Sequence, residues 1–466
     1  MVLLKKAHLI CAYCSLSFIY SSVQAQTSAA VPALKLLLDQ ANERSPFLRA
    51  DSMAILIRQA QQHAITYNWL PDLNVGMQAD IGTNNNMPGG YFSYGMVPGN
   101  SKVRAIGNSS SILTDLAIAA VDFTIYDFGG RKAQQQLAAS DVQVELSKFN
   151  QRKYQLQALV IDNYLQWLRI EDLLAIQQLN IQRNIEIRQS VMALARSGVK
   201  AGVDTSIAEA EISKSRLNYV ELKGQRQQYK LMLSAITSIP TEQLQPDTGY
   251  VNKLVEHNQA PPSIDTALAT HPLITYYKSL YRNSLEKESL VKKSYYPSVS
   301  LQGAVWGRGS SINPTTDEFR KLSTGIGLER GNYLVGVGIK YDLFDLKRKQ
   351  LQLKTQQAYT NYAEKQLQEQ EMLLSLSENR LDAQLVTAGE RLQEIPHQLA
   401  AAQAAYRQKL SLYKNGLTDI LELNSALNVL YRAETDLIMA KYLYCKTLFE
   451  KAIAANQVQS LLRITN

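Results

Sequence analysis

One stretch occurs twice in this chain, and its spacing leaves few folds open. Tyr126–Ala208 and Phe344–Ala426 align without a gap at a constant offset of 218 (344 − 126). Each copy opens on an aromatic followed by an acid, Tyr126-Asp127 or Phe344-Asp345. Each reaches a glycine turn, Ser197-Gly198-Val199 or Asn415-Gly416-Leu417, with an acid six residues beyond the glycine, Asp204 or Glu422. Residues 131–197 and 349–415, 67 in each copy, lie between opening and turn. As helices rising ~1.5 Å per residue they are rods of roughly 100 Å, several times an ordinary globular helix. Within the first rod Val142, Phe149 and Leu156 are seven apart, as are Val160, Trp167, Leu174 and Ile181. That repeat predicts helices packed side by side as a coiled coil.

The duplication extends outward. Ser45-Pro46-Phe47-Leu48 answers His271-Pro272-Leu273-Ile274, and Pro71-Asp72-Leu73 answers Pro297-Ser298-Val299, both at an offset of 226 (272 − 46). The drop from 226 to 218 makes the loop of the first unit eight residues longer than that of the second, while the rods keep their length. The reading is a first repeat over 26–240, a connector over 241–262, a second repeat over 263–457 and a tail over 458–466. In each repeat a helix comes first, Leu34–Asn68 in the first copy, with a break or helix start expected at Pro46. Strands at about 72–80 and 115–126 follow, then the long helix 131–197 and a helix over 204–239 that Pro240 stops. The second copy gives strands at about 297–306 and 332–344, the long helix 349–415, with a kink expected at Pro396, and a helix over 419–455. Residues 81–111, rich in Gly, Asn, Ser and Pro, read as an exposed loop.

Residues 1–25 read as a secretory signal: Lys5 and Lys6, an apolar Leu9–Tyr20, and a small-residue cleavage site at Val23-Gln24-Ala25. Cys11 follows Ile10 and Cys14 follows Tyr13, which argues against a lipid-modified cysteine. Only Cys445 remains after cleavage, so no intramolecular disulfide is expected, and its apolar neighbours predict a buried structural thiol. The formal charge is +8, of which Lys5 and Lys6 supply two, too little to argue for nucleic acid. The five histidines are scattered without metal-ligand spacing, and no nucleophile elbow or phosphate loop occurs; Gly325-Ile326-Gly327 precedes a strand, not a helix. No cofactor, no metal and no catalytic residue is expected, and the chain does not read as an enzyme.

No run of 18 apolar residues follows the signal, so no membrane-spanning helix is expected. The four strands, however, alternate apolar with polar residues and have the length that crosses an outer membrane as β-structure. Four are too few to close a barrel, and an open edge cannot be left in lipid, so the chain must oligomerise to complete one. Trp306, Tyr333 and Tyr341 are candidate aromatics at the level of the lipid headgroups, or else ordinary strand-core aromatics.

Three features in this order, in both repeats, resemble the TolC family of outer-membrane efflux proteins. They are the Pro-x-[Leu/Val] strand start, the Tyr126-Asp127-Phe128-Gly129-Gly130-Arg131 opening, and the glycine turn with its later acid. The resemblance covers about residues 32 to 457. It implies a mainly α fold with a β-barrel part, in which a homotrimer forms a 12-stranded barrel and a 12-helix periplasmic tunnel. It also implies a passive exit duct in the outer membrane of a Gram-negative bacterium, serving tripartite efflux or type I secretion, whose partners are a periplasmic adaptor, an inner-membrane pump and outer-membrane lipid. The alternatives are a periplasmic adaptor and a structural coiled-coil envelope protein.

The resemblance further assigns a periplasmic gate. The acids fall on Asp204 and Glu422, and a tyrosine three residues before the second glycine on Tyr413; a Tyr413–Asp204 hydrogen bond would act as a latch. An arginine usual two residues after that glycine is Thr418 here, and a second acid nine residues after it is Ser425, implying a looser latch and a single acidic ring. Asp204 and Glu422 equally suit the first turn of a helix, where an acid meets the helix dipole, and both roles are compatible. Gly198, Val199, Gly416 and Leu417 would be the tips that meet the adaptor, the glycines themselves serving αL turns.

Overall fold

The structure, a computed structural model, describes residues 34–83, 107–257 and 270–464. The elements in chain order are α1 (Leu34–Arg44), α2 (Pro46–Thr66), β1 (Asp72–Gly82), β2 (Ile112–Tyr126), α3 (Gly130–Arg196), α4 (Val203–Thr237), α5 (Tyr250–His257), α6 (Pro272–Lys293), β3 (Ser298–Ser310), β4 (Arg330–Lys340), α7 (Leu346–Lys414), α8 (Ile420–Ala454) and α9 (Val458–Ile464). The signal segment and most of the 81–111 loop lie outside the described residues. The two rods have 67 and 69 residues, and Pro396 sits inside α7 without ending it. Pro46 and Pro272 each occupy a first helical position, where the absent N–H would have had no partner. Among the described residues no helix is long and apolar enough to cross a membrane.

The chain divides into two compact units, and each draws on both repeats. One comprises Ala54–Leu146 and Tyr277–Leu367; the other the described parts of Met1–Met53, Ser147–Tyr276 and Gln368–Asn466. Sequence similarity separates the copies, whereas packing merges them.

The first unit carries a four-stranded antiparallel sheet in the order β1-β2-β3-β4. Register fixes its faces, since side chains alternate along a strand. Leu73, Val121, Gly303 and Val335 form one cross-strand row, and Val75, Ala119, Val305 and Tyr333 another. This face is apolar and exposed, with Val75 at 79% and Tyr333 at 82%. The opposite face carries rows such as Asp72-Asp122-Gln302-Gly336 and Gln78-Leu116-Arg308-Arg330. Among the described residues β1 and β4 have no strand partner on their outer edges.

At the end of the sheet far from the helices, the β3–β4 connection folds back on the apolar face. Ser311 exchanges bonds with Leu113, donating its N–H to the Leu113 carbonyl (2.9 Å) and accepting the Leu113 N–H on Oγ (3.0 Å). Gly327, at φ 141°, donates its N–H to Asp115 Oδ2 at 2.8 Å. Gly309 makes this approach feasible, because a Cβ there would land on the Gly327 carbonyl oxygen and on Asp115 Oδ1. Overpacking of this kind costs ~1–3 kcal/mol. Gly309→Ala is therefore expected to undock the connection and speed tryptic cleavage at Arg320 and Lys321 in the folded protein; an unchanged cleavage rate would contradict this packing.

The second unit has an extended helical core. Trp167, Tyr164, Leu168 and Ile161 of α3 are buried against Leu34, Leu37 and Leu38 of α1, Leu233 and Ile236 of α4, and Leu448 and Phe449 of α8. α5, which the connector composition did not predict, places Tyr250 between Tyr164 (ring centroids 5.8 Å apart) and Phe449 (6.4 Å). The expected tail is also a helix, α9, whose Val458, Leu461 and Leu462 join this core. Cys445 is fully buried, and burial lifts its thiol pKa to about 12, as an inert structural thiol requires. β4 ends at Lys340, four residues before the expected boundary; Leu343–Asp345 form a 3₁₀ turn that leads directly into α7.

Candidate functional site

The two glycine turns close their helix pairs with the same bonds. Gly198 N–H reaches the Ala195 carbonyl (3.1 Å) and Val199 N–H the Leu194 carbonyl (3.0 Å). Gly416 reaches Tyr413 and Leu417 reaches Leu412, both at 2.9 Å. Both glycines sit in the left-handed region, at φ 76° and 75°, so the turns themselves need glycine. The turns touch each other: a Cβ on Gly416 would lie 3.4 Å from Val199 Cγ1. Val199 and Leu417 remain 57% and 73% exposed.

The charges around the turns differ between the copies. Asp204 lies in the first turn of α4, half-buried. Glu422 lies in the first turn of α8, where its N–H is capped by the Asp419 side chain at 2.8 Å. Its carboxylate accepts from Lys409 Nζ and from Thr418 Oγ1, each at 2.6 Å. Those bonds, Lys409 first, hold the Glu422 pKa below the ordinary carboxylate range. Tyr413 is fully buried, and among the described residues its hydroxyl has no hydrogen-bond partner of full geometry. Burial first, then the nearby negative charge of Asp204, pushes its phenol up to about 12. Asp204 thus stands near enough to the Tyr413 hydroxyl to raise its pKa by charge and by hydrogen-bonding approach, although no bond of full geometry is closed. Lys200 spans the two turns, donating to the Thr418 carbonyl at 2.9 Å with its ammonium 5.9 Å from the Tyr413 ring centre.

Lys200 and Lys409 are the participants that motif reading missed. Lys200 stands two residues after the first glycine, 218 positions before Thr418, so the cation absent from one copy is supplied by the other. Lys409 is seven residues before Gly416 and Glu422 six after it, which makes them neighbours across an antiparallel helix pair. Ser425 is exposed, one turn beyond Glu422 on α8. Above the turns, Ile187 and Val191 pack with Leu423, Leu427 and Leu430, and Arg183 grips Glu434 by two bonds of 2.7 Å.

At the sheet, Tyr333 lies on the apolar face opposite Val305. Trp306 does not: it pairs with Ile118 and Asn332, on the face of Gln302 and Arg308. Strand alternation therefore separates Trp306 from Tyr333. Tyr341 is 43% exposed just past the end of β4.

A sheet with an exposed apolar face occurs in one chain with two helices of 67 and 69 residues, each ending in a glycine turn of the same geometry. A sequence profile described as "Outer membrane efflux protein" matches residues 37–238 and 264–448. The chain belongs to the outer membrane efflux protein family, a family of transport channels and not of enzymes, which work in the bacterial outer membrane and extend into the periplasm. No curated protein is matched by sequence. Among solved structures the chain is similar to the outer-membrane channel OprN (19% identity, covering 91% of this chain and 90% of that one, TM-score 0.72). It is also similar to VceC of Vibrio cholerae (14%, 91% and 95%, 0.71) and to the open state of MtrE of Neisseria gonorrhoeae (18%, 92% and 89%, 0.68). The family assignment sets aside the adaptor and scaffold alternatives.

Proposed function

We propose that three copies of this chain share one 12-stranded barrel and one helical tunnel, forming the passive exit duct of a tripartite efflux or type I secretion system. The observation that carries this reading is the sheet with an exposed apolar face and two unpaired edges, β1 and β4. Neither is tolerable in lipid unless β4 of one copy pairs with β1 of the next. Threefold particles with a barrel end and a tapering shaft in negative-stain images of the detergent-solubilised protein are the expected result. Compact single-chain particles would refute the shared barrel.

In this reading the turns between the rods form the periplasmic gate, and a periplasmic adaptor driven by an inner-membrane pump opens it. Exposed Val199 and Leu417 supply apolar contact for the adaptor's helices, and Gly198 and Gly416 supply the turns. Asp204, Tyr413, Thr418 and Glu422, with Ser425 at the rim, hold the closed state. The unfilled Tyr413 hydroxyl supports a latch that completes its hydrogen bond only when helices tighten or a neighbouring copy approaches. Asp204→Ala is expected to raise the closed-state conductance in a planar bilayer several-fold, with greater antibiotic leakage into cells. A conductance equal to that of the unsubstituted protein would remove Asp204 from the gate.

A further inference from the structure

On the polar face of the sheet, two arginines stand directly opposite one another. Arg308 of β3 and Arg330 of β4 are register partners, with Cβ atoms ~4.5–5.5 Å apart as in any cross-strand pair. Like charges so placed destabilise a sheet unless something offsets them. Both side chains are exposed, and among the described residues neither meets a carboxylate. The nearby acids are otherwise engaged. Glu329 pairs with Arg320 at 3.3 Å. Asp115 points to the other face and holds Gly327. Asp80 accepts from Gln78 at 2.9 and 3.0 Å, and its strand is two removed from β3.

Six residues back along β3, roughly 20 Å, the same face carries the opposite sign. Asp72 and Asp122 are register partners there, and Gln302 Nε2 donates to Asp122 at 3.0 Å. The Asp row lies at the end of the sheet nearest the helices and the Arg row at the far end, since β1 follows α2 and β2 runs into α3. Closing the barrel with the apolar face outward turns both rows into the lumen.

We propose that Arg308 and Arg330 form an anion-binding station at the outer mouth of the channel, taking phosphate-, sulfate- or carboxylate-bearing solutes. The inference rests on the shared-barrel reading above. Two guanidinium forks on adjacent strands match the planar oxygens of such groups and bind them bidentately. A bound anion relieves the repulsion between the two arginines. The station draws anionic cargo toward the exit and repels cations arriving from outside.

The test is side-specific block of single channels in bilayers of phosphatidylcholine alone, with inorganic tripolyphosphate as the probe. The barrel enters from the side of addition, so the outer mouth faces the opposite compartment. Tripolyphosphate added there is expected to block at lower concentration than from the shaft side. R308Q/R330Q should raise that blocking concentration about tenfold, the equivalent of one charge-assisted hydrogen bond, whereas R308K/R330K, which keeps the charge and loses the fork, should fall between the two. Equal block of the unsubstituted and Gln channels overturns the station. So does a Gln variant that loses its trimer on gels while surviving channels block normally, because the arginines would then serve subunit pairing. A Gln variant altered only in insertion into anionic-lipid bilayers overturns it in favour of lipid phosphates. Absence of conductance steps in the unsubstituted protein would instead fail the channel reading on which the station depends.

Discussion

Glu434→Ala is expected to destabilise the helical unit by ~3–5 kcal/mol, the cost of leaving a partly buried charge without its partner. Arg183 and Glu434 bridge α3 and α8 through two parallel bonds of 2.7 Å, with side chains only 22% and 11% exposed. The loss arises from the stranded guanidinium more than from the attraction itself. R183M/E434L, which replaces the pair by apolar groups of similar size, should therefore recover most of it. Urea midpoints at one fixed protein concentration would report both effects, since assembly makes stability concentration-dependent. A single variant as stable as the unsubstituted protein, or a double variant no better than the single, would disprove this account of the pair.

Acidification is expected to act through His271. Its side chain is 1% exposed and belongs to a directed chain of bonds. Leu273 N–H donates to Nδ1 at 3.2 Å, Nε2 meets the Tyr154 hydroxyl at 2.8 Å, and Tyr154 donates to the Ile453 carbonyl at 2.8 Å. Tyr154 spends its one proton on Ile453, so Nε2 carries the hydrogen and Nδ1 is the acceptor. Protonating Nδ1 would break the Leu273 bond and charge a buried ring. Burial accordingly lowers the His271 pKa from 6.5 to about 4. Lys446, Arg380, Asp162 and Glu450 line the same 530 Å³ cavity without removing that effect.

Because the folded pKa is depressed, the unfolded chain binds the proton first. The contribution of His271 is complete above pH 6.5 and erodes as pH falls through 6.5 toward 4, by about 3 kcal/mol in all. His271→Gln should flatten this part of the stability–pH curve. If the variant declines between pH 7 and 4.5 as steeply as the unsubstituted protein, other groups govern the acid response.

Most of the fold was legible because long rods and strands impose periods on the sequence. The offsets of 218 and 226 located every strand and both rods to within a few residues, and Pro46 and Pro240 marked real boundaries. What escaped depends on tertiary context. Tyr250–His257 lies in a proline-flanked connector too short to show a period, and its helix is fixed by Tyr250 packing on Tyr164 and Phe449. Val458–Ile464 read as a tail because Val458, Leu461 and Leu462 find their core only in three dimensions. Trp306 was legible in principle: counting by twos from Val305 puts it on the polar face. Around the turns, motif positions named Asp204, Tyr413 and Glu422, but no motif contains Lys200 or Lys409. Counting outward equally from Gly416 would have exposed the Lys409–Glu422 pair.

The register of the sheet also sets an order of assembly during export. β1 with β2 and β3 with β4 are local hairpins, but Phe123 pairs with Leu301 and Asp122 with Gln302 across roughly 180 residues. The first hairpin emerges into the periplasm long before its partner strand has been translocated. The edge of β2 that will receive β3, with Val121 and Phe123, must stay unpaired and unaggregated while the whole of the first rod passes. Slowing translocation between residues 127 and 297 therefore leaves the waiting edge of β2 exposed for longer than slowing it after Lys340 does.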